Sequence, residues 1–159
     1  AAIGTWLRNY DKKRPAFRIS TRKIGDEKIG DLEITGVEGL FSVCLNTDPY
    51  TYLGTRKISL APHANLDTPL AIVTFKNLTL KRLLPVVLGS LGIGKTTTSS
   101  SRVVDLRNDV AEAQAIAYKS VPLQVDGDFL GNFAEFSFQY KAACLDVVMP
   151  IKATDSRNY

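Results

Sequence analysis

Ala134-Glu135-Phe136-Ser137-Phe138-Gln139-Tyr140-Lys141 places an apolar or aromatic side chain at every second position and a polar one between. Successive side chains of a strand point to opposite faces, so this period of two predicts a half-buried β-strand. Back along the chain, Ala111, Ala113, Ala115 and Ala117 repeat the pattern with the smallest apolar side chain. Phe41, Val43 and Leu45 alternate with Ser42, Cys44 and Asn46, and Phe17 and Ile19 with Arg18 and Ser20. In the other direction, Leu145, Val147 and Met149 continue it. Short alternating runs parted by Gly, Asp, Asn and Pro predict a mainly β domain, an antiparallel β-sandwich with its apolar faces inward.

One segment has a different period. Leu80, Leu83, Leu84, Val87, Leu88 and Leu91 form a helical stripe. It predicts one substantial helix over about residues 78–91, with Asn77 as cap, Pro85 as kink and Gly89 or Gly92 as stop.

The chain has 159 residues, 45% apolar and 23% charged, enough for one globular core and short for two. Its apolar fraction excludes a disordered chain, and 11 Gly with 7 Pro exclude collagen-like composition. No run approaches the ~20 apolar residues that cross a bilayer as a helix. Cys44 and Cys144 are too few for a disulfide scaffold, and two reduced thiols in a cytosolic protein are expected. The net charge of +4 is concentrated near the start. Arg8, Lys12, Lys13, Arg14, Arg18, Arg22 and Lys23 are opposed there only by Asp11. Such a run is either a solvated segment beside a strand or a surface drawn to anionic lipid, each cation adding ~1 kcal/mol near a membrane. Without interleaved aromatics or a nucleic-acid motif, no nucleic-acid partner is expected.

Gly89-Ser90-Leu91-Gly92-Ile93-Gly94-Lys95-Thr96 matches the phosphate-loop pattern G-x-x-x-x-G-K-[ST]. A phosphate loop needs a strand before it and a helix N-terminus after it, where the dipole favours anions. Here it follows a helix, and what comes after, Thr97-Thr98-Ser99-Ser100-Ser101-Arg102-Val103-Val104, is a poor helix former and reads as a loop entering a strand. The expected role is a Gly-rich connection, not an NTPase site. His63 has no Ser or Cys partner in a recognisable triad and is expected to be structural or at the surface.

Two acidic spots remain. Val125-Asp126-Gly127-Asp128 joins two strand-like runs, and Asp-Gly is a favoured hairpin pair. Its two carboxylates could also meet a hard cation or a nucleotide. Asn65-Leu66-Asp67-Thr68-Pro69-Leu70 leads into a strand; its oxygens could hold Mg²⁺, or form an Asx turn.

In order and separation, two segments resemble those of the bacterial diacylglycerol kinase and sphingosine kinase-like lipid kinases. Ala61-Pro62-His63-Ala64-Asn65-Leu66-Asp67-Thr68-Pro69-Leu70 resembles their A-P-x-A-x-x-D-D-G-x-L stretch, and Pro122-Leu123-Gln124-Val125-Asp126-Gly127-Asp128 their P-x-x-V-D-G-E stretch. The helix over Leu80–Gly92 falls where those proteins place one, and the likeness spans most of residues 15–150. The resemblance implies a C-terminal β-sandwich domain over residues 15–150. Residues 1–14 would then lead in from a separate nucleotide-binding domain carrying G-G-D-G-T, and 151–159 would be a tail.

ATP would lie in the cleft between the domains, with Mg²⁺. Asp126 and Asp128 would act in catalysis, and Asp126, Gly127 and Asp128 would contact the nucleotide. The activity implied is transfer of the ATP γ-phosphate to a lipid hydroxyl, with diacylglycerol the first expectation. The chain alone would be inactive. In some relatives a structural Mg²⁺ is held at positions matching Asn65, Asp67–Thr68 and Leu70; Thr68 stands where the family has a second Asp, and Asp128 where it has Glu. The lipid would be met at the inner membrane surface by a cytoplasmic protein, and a sheet edge could pair with a second copy. The alternative is a non-catalytic β-sandwich that binds an anionic membrane or a protein partner through the basic segment and Tyr50 and Tyr52.

Overall fold

The computed structural model describes residues 14–25, 36–92 and 101–144. Its elements run β1 (Phe17–Lys23), β2 (Val37–Gly39), β3 (Phe41–Leu45), β4 (Thr51–Leu53), β5 (Arg56–Ile58), β6 (Leu70–Phe75), α1 (Leu80–Ser90), β7 (Val104–Val125) and β8 (Asp128–Gln139). The fold is mainly β, antiparallel and sandwich-like, as the alternation predicts, with one helix among the described residues. The strand expected over Leu145–Met149 lies outside the described residues.

Both layers belong to one six-stranded sheet, ordered β2-β1-β7-β6-β3, with β8 beside β7. β2 and β3 are opposite edges of that order, yet only Leu40 separates them in the chain. Gly39 pairs with Phe17 on one edge, and Phe41 with Phe75 on the other. The Leu40 N–H donates to Phe75 O at 2.9 Å, so the switch falls within a single residue. A sheet whose edges are joined this closely must roll up.

The roll is narrow, which explains the alanine row. Its interior holds Phe17, Ile19, Ile72, Val110, Ala113, Ala115 and Val121, with Val37, Cys44, Ala117, Phe136 and Phe138 packed against them. Every strand of the sheet contributes to that cluster. Burial of such side chains stabilises by roughly 25 cal/mol per Å² of apolar surface removed from water. Ala111 departs from the expected row, and Val110, fully buried, takes the inward place. The cause is a β-bulge. Asp109 adopts φ 59°, and Val110 pairs with Lys23 on one side and Leu70 on the other.

A second cluster lies on the outer face of β3 and β6. Val73 and Phe75 pack there with Leu40, Leu45, Ala61, Ala64, Leu78 and Val86 of α1. β6 is covered on both faces, which fits its run of apolar residues interrupted only by the buried Thr74.

The helix begins later than expected. Thr79 is its N-cap without a side-chain bond, while Asn77 Oδ1 accepts the Thr79 N–H at 2.9 Å and shapes the approach. It continues through Pro85, and Gly92 at φ 74° supplies the left-handed residue that ends it. The inward face also differs from the expected stripe. Val86, Gly89 and Ser90 are buried, whereas Leu84 and Val87 are exposed. Adjacent helical residues differ by about 100° in direction, so contact through Val86 turns Val87 away. Ser90 O accepts the Ser59 N–H at 2.9 Å and fixes that choice. The side chains of Leu80 and Leu83 lie outside the description.

Candidate functional site

β7 is 22 residues long and outruns its neighbours. β1 covers it only as far as Ala117, and from Val121 to Val125 its one partner among the described residues is β8. The register between Ile116 and Val121 shifts by several residues, a bulge that bends the strand where the arm leaves the roll. At the end of this arm, Val125 pairs with Asp128 across the two-residue loop Asp126-Gly127. Asp126 has φ 51° and Gly127 φ 97°. Two successive left-handed residues define a type I′ turn, whose twist matches that of the flanking strands. Gln124 Nε2 donates to Gly127 O at 2.6 Å and braces it.

Asp126, Gly127 and Asp128 are therefore brought together at one tip, and all three are exposed. A Cβ built on Gly127 would meet nothing within 4 Å, so the tip is open to a second body. The carboxylates can orient a cation or phosphate-bearing ligand only against groups brought by that body.

The second acidic spot is built differently. Asn65 O accepts both the Thr68 N–H at 3.1 Å and the Thr68 hydroxyl at 3.0 Å. Asn65 Oδ1 accepts the Asp67 N–H at 2.9 Å, and Thr68 Oγ1 in turn accepts the Asn65 N–H at 3.1 Å. A carbonyl has two lone pairs, and those of Asn65 are spent within the turn. Leu70 is already strand, opposite Val110. Asp67 remains, too few oxygens for a hard cation that takes six or more. The residues present do not fit the Mg²⁺ site implied by the resemblance: Thr68 closes the loop as an Asx turn where a second carboxylate would open it. Among the described residues, no group of three or more His, Cys, Asp and Glu side chains could hold a metal ion.

The two spots also stand apart. Leu70 lies beside Val110, whereas Asp128 lies beside Val125 at the far end of β7. The phosphate-loop pattern starts inside α1, with Gly89 and Ser90 in its last turn; Ile93–Thr96 lie outside the described residues. A phosphate there would meet the negative end of the helix. His63 is exposed, and its backbone O accepts a hydrogen bond from Asn65 Nδ2 at 3.3 Å. Cys44 and Cys144 are both free thiols, and burial pushes the Cys44 thiol up to about 11.

Of the basic run near the start, Arg8, Lys12 and Lys13 lie outside the described residues. Arg22 bonds to Glu112 at 3.1 Å, and Arg18 acts on Tyr118, whose hydroxyl donates to Glu38 at 2.8 Å. That hydrogen bond raises the Tyr118 pKa.

Several features escape the sequence reading. Asp48 Oδ1 is buried without a hydrogen-bond partner. Arg107 bonds to Asp105 at 2.9 Å and to Thr21 Oγ1 at 2.8 Å, across the sheet. Phe129, Leu130 and Phe133, large apolar side chains, are exposed on the arm. Comparisons with known proteins find no matching family model, no similar curated protein and no solved structure of similar fold.

Proposed function

We propose that this chain is the C-terminal domain of an ATP-dependent lipid kinase that phosphorylates a lipid hydroxyl, diacylglycerol first among candidates. The observation that carries the reading is the Val125-Asp126-Gly127-Asp128 turn, two exposed carboxylates held at the end of an arm that extends past the roll. The loop Ala61–Leu70, the helix and this turn follow in the order of the lipid-kinase motifs. ATP, bound with Mg²⁺ between this domain and a nucleotide-binding domain, would supply the phosphoryl group. Asp126 and Asp128 would orient that group and the metal, because phosphoryl transfer depends mainly on positioning and charge stabilisation. The type I′ turn fixes the backbone at Asp126, and β8 begins at Asp128, so little backbone ordering is left to do on binding.

The test is Asp126→Asn in the protein that joins this chain to its nucleotide-binding domain, assayed by transfer of labelled phosphate to diacylglycerol in mixed micelles. Asn suits a left-handed turn position as well as Asp does, so the melting temperature stays within a degree or two. The rate falls at least tenfold, roughly 1.4 kcal/mol of transition-state stabilisation. An unchanged rate reduces the turn to hairpin geometry. Turnover by the 159-residue chain alone would overturn the assignment as one half of a two-domain enzyme.

A further inference from the structure

The β4–β5 ribbon stands outside the rolled sheet and, among the described residues, pairs only with itself. Two-stranded ribbons are marginal in water without a covering partner. This one is exposed along both strands save at Ile58, and it turns at Gly54 with φ 61°. Its outer residues are nevertheless apolar: Tyr52 is 63% exposed and Leu53 64%. Beside them stand Arg56 and Lys57.

The helix has a matching side. Leu84 is 53% exposed and Val87 47%, with Lys81 and Arg82 in the preceding turn. The bond from Ser59 N–H to Ser90 O joins the base of the ribbon to the end of the helix. Neither element contains an Asp or Glu, and none of the four cations forms an ion pair with a described residue. The nearest acid before the ribbon is Asp48, whose Oδ1 is buried.

We propose that the β4–β5 ribbon and the adjoining exposed side of α1 form a docking surface for an anionic lipid bilayer. Apolar side chains enter the acyl boundary, the Tyr ring sits at headgroup level, and Lys and Arg extend to lipid phosphates. Charge complementarity commits the surface to this occupant: cations without carboxylates attract a sheet of anions. A protein partner would be expected to meet acids as well as bases on a rim of this kind. The inference deepens the lipid-kinase reading by giving it a membrane contact, and rests on it only for the lipid to be phosphorylated.

The test floats the full chain with vesicles of phosphatidylcholine plus phosphatidylglycerol, against phosphatidylcholine alone, without ATP. The chain binds the anionic vesicles only, and raised salt weakens binding. Arg56→Ala/Lys57→Ala lowers the partition coefficient about tenfold or more, from roughly fivefold per cation. Tyr52→Ser/Leu53→Ser and Leu84→Ser/Val87→Ser each lower it comparably, while circular dichroism melting is unchanged. Phe129→Ser/Leu130→Ser on the arm leaves it unaltered. Absence of vesicle binding overturns the proposal, as does unchanged binding in either the ribbon or the helix variants. So does loss caused by the arm variant. Because no phosphate is transferred in this assay, its failure is separate from a failure of the Asp126→Asn test.

Discussion

Gly39→Ala should be among the most damaging one-methyl changes in the molecule. A Cβ built there falls 2.5 Å from Thr74 Cγ2, and 3.0 and 3.1 Å from two atoms of the Phe17 ring. Ordinary carbon contacts are about 3.5–4.0 Å, so Thr74 must yield by about an ångström. It has little room. Thr74 is 1% exposed, its Oγ1 lies 3.1 Å from Ser42 Oγ, and β-branching restricts its χ1. Overpacking of this kind costs roughly 1–3 kcal/mol, and the severity of the contact argues for the upper part of that range. At roughly 2–4 °C per kcal/mol for a chain of this size, the melting temperature drops by about 5–10 °C. Urea unfolding followed by far-ultraviolet circular dichroism measures the loss, and Thr74→Ser identifies its cause. Alone, Thr74→Ser removes a buried methyl at a cost of about 1 kcal/mol. Combined with Gly39→Ala, it removes the clash, giving a coupling of about 1 kcal/mol or more in the double-mutant cycle. A Gly39→Ala loss below ~0.5 kcal/mol, or strict additivity with Thr74→Ser, would refute the closure of β2 against β6.

Two further outcomes follow from local geometry. Gly127→Ala meets no steric obstacle, so its cost is backbone strain at φ 97°, about 1–2 kcal/mol. The loss should appear as faster amide exchange in the arm flanking the turn, with exchange in the roll unaffected. Burial disfavours the thiolate and pushes the Cys44 thiol from an ordinary 9.0 up to about 11. The folded state therefore holds the proton more tightly. Stability from this group is full below about pH 9 and is lost as pH rises through about 11. Cys44→Ala should flatten that alkaline fall in melting temperature, and Cys144 should react with a thiol reagent at pH 8 long before Cys44 does.

Strand content was legible because period-two alternation is a direct image of the pleat, and Phe136 and Phe138 sit inward as their spacing requires. The bulge was not. Asp109 at φ 59° is a non-glycine residue in a left-handed conformation, and no composition signal marks it. The helix was legible as an element, but its stripe wraps too far round to name one buried face. Packing settled that through Val86, which joins the outer cluster, and through Gly89 and Ser90, two small residues buried on the same side. The Asp126-Gly127 turn could be read because that pair favours left-handed positions. The loop at Asn65 could be read only in outline, since one hydroxyl at Thr68 decides whether its oxygens face outward or close on themselves.

The single-residue switch at Leu40 also imposes an order of events on folding. β7 and β8 are joined by a two-residue turn and can meet within microseconds, as hairpins do. β1 must instead find β7 across most of the chain: Arg22 and Glu112 are 90 residues apart. Contacts of that separation require loop-closure entropy to be surrendered before any packing rewards it. The arm bearing Asp126 and Asp128 is thus assembled by local contacts, early and on its own account. Closing the roll should be the slower step, since Gly39 and Phe41 on either side of Leu40 must settle against β1 and β6 at opposite edges of the sheet.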